Sequence, residues 1–232
     1  MKKIFSILLI FMSSFLQAQE YYWSSYNITV ADQDIETVAG LMDAYFSQEE
    51  SKNAGISVYL FENHFFDHSV DYTHSIVFTG SLDDLSNQYA KESTADWKLF
   101  LTKLNNYATT HSAGQGNSIA SFGEPGSHPI QNVIFLEVND AATFATHFKK
   151  YNGKYNPTDR RVTLGRFNAG RSPYGESHYV LVGMDDFKTM MNSGSYRETN
   201  TAAKKAWSEY MDVLDGNVSI IRSVTRIMVS KW

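Results

Sequence analysis

The chain has 232 residues, of which 43% are hydrophobic and 14% aromatic, and its formal net charge is −5. This composition is typical of a globular protein, and the length suffices for one large domain or two small ones with a buried core. The negative charge argues against nucleic acid as a partner, because a polyanion is bound mainly through basic side chains. The chain has no cysteine, which excludes disulfides, thiolate nucleophiles and a lipid-bearing cysteine.

Residues 1–19 are predicted to be a cleavable signal peptide. Lys2 and Lys3 precede an apolar run from Ile4 to Phe15, and Ala18 is a small residue close to the end of that run. The run is shorter than the roughly 20 residues that a membrane span requires. We therefore expect a periplasmic or secreted protein that has no stable membrane anchor after cleavage. Loss of the two lysines would change the formal charge from −5 to −7.

Residues 20–124 are predicted to form a first α+β repeat with the order βαββαβ. Strand patterns occupy 26–30, 56–61, 74–78 and 118–122, and a helix can begin after Asp32 or Asp34. The second helix is indicated by an apolar face at positions i, i+3, i+4 and i+7, formed by Trp97, Phe100, Leu101 and Leu104.

Residues 125–232 repeat this order. Strand patterns occupy 133–138, 162–167, 178–182 and 217–230, and the second long helix carries Trp207, Tyr210, Met211 and Leu214 at the same spacing. Both halves contain, in the same order, a strand, a strand led by histidine, an Asp-Asp pair and a helix led by tryptophan. This shared order predicts a duplication. The stretch 112–129, rich in glycine, serine and histidine and ending in Pro129, is interpreted as the linker.

The duplicated pattern resembles the dimeric α/β-barrel superfamily, a ferredoxin-like group that includes antibiotic-biosynthesis-type monooxygenases, stress-responsive barrels and chlorite dismutase-like proteins. The resemblance covers nearly all of the mature chain and lies in element order, without a diagnostic motif. It implies two antiparallel sheets paired into an intramolecular barrel, with a ligand pocket between them. Pairing also has a physical reason, because each sheet has helices on one face only and must bury the other. Fold alone does not fix function.

The histidines His74 and His178 hold matching places at the start of the third strand of each repeat. One interpretation places them at the mouth of the pocket, where they orient a ligand or bind haem iron. The other interpretation is a polar strand-edge residue retained from the ancestral repeat. Tyr179, which follows His178, is a further candidate for ligand binding. His64 and His68 lie four residues apart but follow a strand, so we interpret them as loop residues and predict no metal site.

Arg166 is the fourth candidate, within the local excess of arginines around 160–171. Alternation along its strand places it on one face with Val162 and Leu164. Pointing inward, Arg166 could hold a carboxylate bidentately; pointing outward, it would be an ordinary solvated charge. Asn132 is the fifth candidate, because haem-degrading members of the superfamily use an Asn, a Trp and a His together. The chain does not reproduce that trio, since Trp97 and Trp207 fall on apolar helix faces.

Three functional hypotheses follow from these observations. The leading one is an exported protein that binds a small, partly apolar molecule between the two sheets, without nucleic acid as a partner. The second is a monooxygenase-like or haem-dependent enzyme of the superfamily, with haem as the cofactor that the resemblance implies. The third is a structural or interaction protein whose barrel is filled by side chains. The sequence has no nucleophile elbow, nucleotide loop or zinc-protease motif, so hydrolytic chemistry has no support.

Overall fold

The computed structural model describes residues 21–52, 55–124, 128–170 and 174–232. The predicted signal peptide at 1–19 lies outside these ranges and stays a prediction. The strands are β1 (Tyr22–Val30), β2 (Ser57–Phe66), β3 (His74–Gly80), β4 (Ala108–Phe122), β5 (Ile130–Val138), β6 (Arg160–Ala169), β7 (His178–Met184) and β8 (Val218–Lys231). The helices are α1 (Ile35–Phe46), α2 (Leu82–Ala90), α3 (Ala95–Leu104), α4 (Ala141–Tyr155), α5 (Phe187–Met191) and α6 (Thr201–Leu214). None of these described helices is both long and apolar enough to cross a membrane.

The eight strands close into one barrel in the order β1-β3-β2-β8-β5-β7-β6-β4, and every neighbouring pair is antiparallel. The first half contributes the run β4-β1-β3-β2 and the second half the run β8-β5-β7-β6, so the two halves have the same internal order. This confirms the predicted α+β fold, in which two ferredoxin-like repeats pair into an intramolecular barrel. The boundary between residues 124 and 125 falls in the connection from β4 to β5 and remains a prediction as a domain boundary.

The long helices cover the outside of the barrel and form one apolar core in each half. In the first half, Met42 and Phe46 of α1 and Phe100 of α3 pack against the sheet. In the second half, Phe144 and Phe148 of α4 do the same, together with residues of α6. Burial of each such side chain contributes roughly 1.5 to 3 kcal/mol. Trp97 of α3 and Trp207 of α6 pack at the margins of these cores, as their helical spacing predicts.

The glycine-rich stretch interpreted as a linker is in fact mostly strand. β4 begins at Ala108 and runs to Phe122, pairing with β1 on one side and β6 on the other. A Cβ atom at Gly116 would lie 2.0 Å from the backbone oxygen of Arg166, so the glycine permits a close approach of neighbouring strands. The glycines therefore serve strand packing, and the connection to β5 is only the short segment after Phe122.

Candidate functional site in the barrel interior

A cavity of about 1090 Å³ lies inside the barrel, between the two four-stranded sheets. Successive side chains of each strand point to opposite faces of the sheet. Those on one face pack against the helices, and those on the other face line the cavity. Val133, Tyr179 and Val224 belong to a separate apolar cluster on this inner face. The cavity matches in size the sites that take drug-sized molecules. It lies where pairing of the two sheets led us to expect a pocket.

His74 and His178 lie on the outer face of the barrel, beneath the helices. The buried ring of His178 meets Phe144 of α4 edge-on, with 6.4 Å between ring centroids. His74 is the equivalent buried residue of β3, and neither histidine lines the cavity. Their predicted position at the pocket mouth is therefore corrected. Strand alternation turns both histidines toward the helices and turns the next residues, Ser75 and Tyr179, inward.

Arg166 and Asn132 also lie outside the cavity. Arg166 lies on the same face of β6 as Leu164, which is buried against the helices. The Nε of Arg166 donates a hydrogen bond to Asn117 Oδ1 at 2.9 Å. Asn132 precedes the cavity-lining Val133 and so points the other way. Arg166 therefore does not hold a carboxylate within the barrel. Of the five candidates, Tyr179 alone lines the cavity.

One wall of the cavity is aromatic. Phe167 of β6 and Trp23 of β1 are both register partners of Gly116 of β4, and their rings meet edge-on at 5.3 Å. A Cβ atom at Gly116 would lie 2.6 Å from Trp23 Cζ2, so the glycine leaves room for the indole ring. Tyr179 packs edge-on against both rings, at 5.6 and 5.7 Å. We call the set Phe167, Gly116 and Trp23 the aromatic row.

The opposite wall carries a row of polar side chains. Arg226 of β8 has Asn63 of β2 as its register partner on one side and Gln131 of β5 on the other. Cross-strand partners present neighbouring side chains on the same face, so the three residues lie side by side. All three line the cavity. We call Asn63, Arg226 and Gln131 the polar row.

The two rows occupy equivalent places in the two repeats. His74 pairs with Ile28 and Glu62, whereas His178 pairs with Leu136 and Arg166. Trp23 lies as far before Ile28 as Gln131 lies before Leu136, so these two residues correspond. Asn63 follows Glu62 as Phe167 follows Arg166, so these two correspond as well. The remaining members, Gly116 and Arg226, lie on β4 and β8, which are four strands apart in the closed barrel of eight. The rows therefore face each other, and the duplication has given one site two chemically unlike walls.

The guanidinium of Arg226 is the most unusual group of the cavity. Its Nε and Nη2 donate to Gln131 Oε1 at 3.0 and 2.8 Å, and its Cζ lies 4.0 Å from the centroid of the Phe61 ring. No carboxylate of the described residues lies within ion-pair distance of it. Burial lowers the pKa of Arg226 to about 10, which leaves the group charged at neutral pH. A buried charge is costly unless it is paired, so this position favours an anion.

The other charged side chains of the cavity leave an excess of positive charge. The cations are Arg161, Arg222, Arg226 and Lys231, and the acids are Asp71 and Glu176. Glu176 Oε1 lies 2.8 Å from Arg222 Nε, and the two side chains form an ion pair. Asp71 Oδ1 lies 2.8 Å from His111 Nε2. Both acids thus have partners of their own, and neither neutralises Arg226.

Asn63 of the polar row has one buried amide atom without a hydrogen-bond partner. Its Nδ2 donates to the backbone oxygen of Tyr72 at 2.9 Å, which fixes the orientation of the amide because a carbonyl oxygen can only accept. The other amide atom, Oδ1, is buried and has no hydrogen-bond partner. The residue is 7% exposed. A buried acceptor without a donor costs about 1 to 3 kcal/mol.

Two phenols of the cavity, those of Tyr72 and Tyr179, remain protonated at neutral pH. Burial raises the pKa of Tyr179, and it also raises the pKa of Tyr72 against the opposing field of Arg222 and Arg226. These two side chains therefore offer hydroxyl groups and aromatic surface, and neither is an anionic base at neutral pH.

The histidines do not fit haem inside this cavity. All seven histidines lie in the described residues, and only His111 and His128 line the cavity. His128 uses both ring nitrogens, Nδ1 toward Asp185 and Nε2 toward the backbone oxygen of Glu124. His111 directs Nε2 to the exposed Asp71. An axial histidine needs a free ring nitrogen, which His128 lacks and which the Nε2 of His111 does not supply. The described residues contain no cluster of metal-ligating side chains.

The polar row was not predicted from the sequence. A signal was present, because Arg222, Val224 and Arg226 alternate with Ser223 and Thr225 along the last strand. Two arginines that share a strand face with valine predict either a solvated edge or a charged interior. The pairing of β8 with β2 and β5, which decides between these, depends on contacts between the two repeats.

Comparison with known proteins supports the fold. No family model matches the chain, and no curated protein matches it. Among solved structures, a candidate monooxygenase from Lactobacillus acidophilus is 12% identical with a TM-score of 0.63, over 92% of this chain and 95% of that one. An anthrone oxidase-like protein is 14% identical with a TM-score of 0.55, over 92% and 93%. A variant of chlorite dismutase from Candidatus Nitrospira defluvii is 12% identical with a TM-score of 0.55, over 90% and 91%.

These similarities establish the dimeric α/β-barrel fold, here with both halves of the barrel in one chain. At identities this low, the similarities support the fold and not the function. The function of the chain has to be inferred from its own cavity.

Proposed function

We propose that this protein is an exported binding protein that holds a small, partly aromatic anion inside its barrel. The observation that carries the proposal is Arg226, a partly buried cation inside the barrel whose described partners include no carboxylate. The predicted signal peptide supports the export, to the periplasm or beyond the cell. The cavity volume of about 1090 Å³ argues against a barrel filled by its own side chains.

The two rows define the chemistry of the ligand. A carboxylate or similar anion would accept charge-assisted hydrogen bonds from Arg226, each worth about 1.5 to 3 kcal/mol. An aromatic ring attached to it would extend toward Trp23 and Phe167, where edge-on ring contacts add about 0.5 to 1.5 kcal/mol beyond burial. We therefore expect the ligand to be an aromatic acid that is larger than a single amino acid side chain and small enough to fit inside the cavity.

The test is the binding of naphthoate, an aromatic carboxylate of suitable size, to the mature protein by isothermal titration calorimetry. Arg226→Met should weaken this binding at least about tenfold, because it removes a charged donor from a buried position. The fold should survive, since replacing a buried charge by an apolar side chain is often neutral or stabilising. Thermal unfolding of the variant, measured in the same buffer, checks this.

Arg166→Met is the matched control. It removes an arginine from the outer face of the same barrel, where Arg166 contacts Asn117 and not the cavity. Its affinity for naphthoate should equal that of the unchanged protein. Equal effects of the two substitutions, or no binding of naphthoate at all, would contradict the proposal.

A second candidate function is oxygenation of an aromatic compound held in the same cavity. It is suggested by the names of two proteins that share the fold, a candidate monooxygenase and an anthrone oxidase-like protein. The measurement is oxygen consumption by the purified protein in the presence of anthrone. Catalysed uptake that Arg226→Met reduces would favour an enzyme, whereas naphthoate binding without any uptake would favour the binding protein.

A further inference from the structure

We propose that the cavity holds a second anionic group of its ligand at Lys231, so that the preferred ligand is an aromatic dianion rather than a monoanion. The inference rests on the proposed function and deepens it, because it adds a second charge, within a limited distance, to the aromatic acid bound at Arg226. Its basis is the position of Lys231, whose side chain is exposed to solvent and lines the cavity at one of its two ends.

The two ends of the cavity differ in charge. Arg161 is the second residue of β6 and Lys231 is the last residue of β8. Because neighbouring strands are antiparallel, β6 begins at the end of the barrel where β8 finishes. The two acids that line the cavity, Asp71 and Glu176, lie in the segments that lead into β3 and β7, at the opposite end. The end with Arg161 and Lys231 therefore favours an anionic group.

Lys231 carries a charge that the described residues do not neutralise. Its Nζ lies 5.4 Å from the centroid of the Tyr59 ring, and no carboxylate of the described residues lies within ion-pair distance of it. An aromatic face attracts a cation and leaves its charge in place. Because the side chain is exposed as well as part of the cavity lining, a ligand anion can reach it directly.

The wall between Lys231 and Arg226 is aromatic. Arg226 Cζ lies 4.0 Å from the centroid of the Phe61 ring. The rings of Phe61 and Tyr59 are stacked, with 5.8 Å between centroids and 14° between planes, and both residues line the cavity. A ring that joins two anionic groups would therefore meet apolar surface between the two cations.

The contacts along this wall limit the length of the ligand. The three distances, from Arg226 to the Phe61 ring, between the rings, and from the Tyr59 ring to Lys231, together place the two cations at most about 15 Å apart. With a charge-assisted hydrogen bond of about 2.8 Å at each end, the two anionic groups of one ligand can be separated by up to about 10 Å. A rigid two-ring aromatic dicarboxylate fits within this limit.

The test compares three ligands on the unchanged protein by isothermal titration calorimetry. Naphthalene dicarboxylate with its acid groups on opposite rings should bind at least about fivefold more tightly than naphthoate, because it adds an ion pair at a solvent-exposed position. The monomethyl ester of the same acid has similar size and one negative charge, and should show no such gain. The gain should also shrink as the salt concentration rises, because an exposed ion pair is screened.

Lys231→Gln then assigns the gain to this residue. The variant should lose the preference for the dicarboxylate over its monomethyl ester, whereas Lys231→Arg, which keeps the charge, should retain it. Lys98→Gln is the matched control, since Lys98 is an exposed residue of α3 that does not line the cavity. Its preference should equal that of the unchanged protein.

Two results would overturn this inference and leave the proposed function standing. One is binding of naphthoate to the unchanged protein without any gain from the second carboxylate. The other is a preference for the dicarboxylate that survives in Lys231→Gln. Absence of binding for every ligand overturns both the inference and the proposed function.

Discussion

The burial of His74 gives the protein a specific response to acid. The residue lies beneath the helices, its Nδ1 makes a hydrogen bond with Thr73 Oγ1 at 2.9 Å, and its register partner on β2 is Glu62. Burial lowers the pKa of His74, and the field of Glu62 raises it in part. The folded protein therefore binds a proton at His74 less readily than the unfolded chain does.

We expect the protein to lose stability as the pH falls below the ordinary histidine range near 6.5, because the unfolded chain then binds more protons than the folded one. His74→Gln should remove part of this dependence, whereas Glu62→Gln should enlarge it by removing the opposing field. Urea unfolding at pH 7 and pH 5 measures both effects. Equal pH dependence in all three proteins would contradict the account.

Binding of naphthoate should be unchanged in His74→Gln, because the ring faces the helices. This distinguishes the structural role from the ligand-binding role that the sequence suggested for the histidines. The sequence correctly predicted that His74 and His178 are equivalent residues at the start of equivalent strands. It could not predict which face of the sheet they occupy, because alternation defines two faces and only packing of the helices distinguishes them.

At the scale of single elements, β4 shows how composition misleads. Glycine and serine between two repeats are typical of a linker, and the sequence contains no signal that neighbouring strands approach this segment closely. The strand exists because β1 and β6 supply hydrogen-bond partners on both sides. Those partners are distant in sequence, and β6 belongs to the other repeat. The elements with a strong local pattern, such as α3 and α6, were by contrast predicted from their own residues.

A pair of glycines within β4 tests this account. Gly116→Ala should destabilise the protein by about 1 to 3 kcal/mol, because the new methyl group would meet backbone and the Trp23 ring. Gly114→Ala is the matched control on the same strand, where the nearest atom would be 3.4 Å away. Its free energy of unfolding should change much less. Urea denaturation of both variants gives the comparison, and similar losses would show that close approach is not the reason for glycine.

At the scale of the whole molecule, neither repeat is expected to be stable alone. In the separated first half the inner residues Trp23, Tyr59 and Phe61, which line the cavity, would face water. The edges formed by β2 and β4 would also lose their partners β8 and β6. Residues 20–124 and 125–232 expressed separately should therefore self-associate or aggregate.

Size-exclusion chromatography with light scattering tests this expectation, and mixing the two halves should restore a single barrel that binds naphthoate. A half that remains monomeric and unfolds cooperatively would show that the barrel is not the folding unit. The overall pairing of the repeats was predictable from the sequence, because a one-sided sheet must be covered. The contents of the cavity were not, since each wall combines strands from both repeats.

The unlike walls also bear on how such a site can arise. In a barrel made of two identical chains, equivalent positions on the two walls are encoded by the same codon. An arginine at the position of Arg226 would therefore place a second arginine across the cavity. The two cations would repel each other inside a buried space. Here the corresponding position is Gly116, and each of the two equivalent positions has a codon of its own. Fusion of the halves thus permits an arginine on one wall without a second arginine at the equivalent position of the other, and Gly116→Arg would reintroduce the repulsion that two identical chains could not escape.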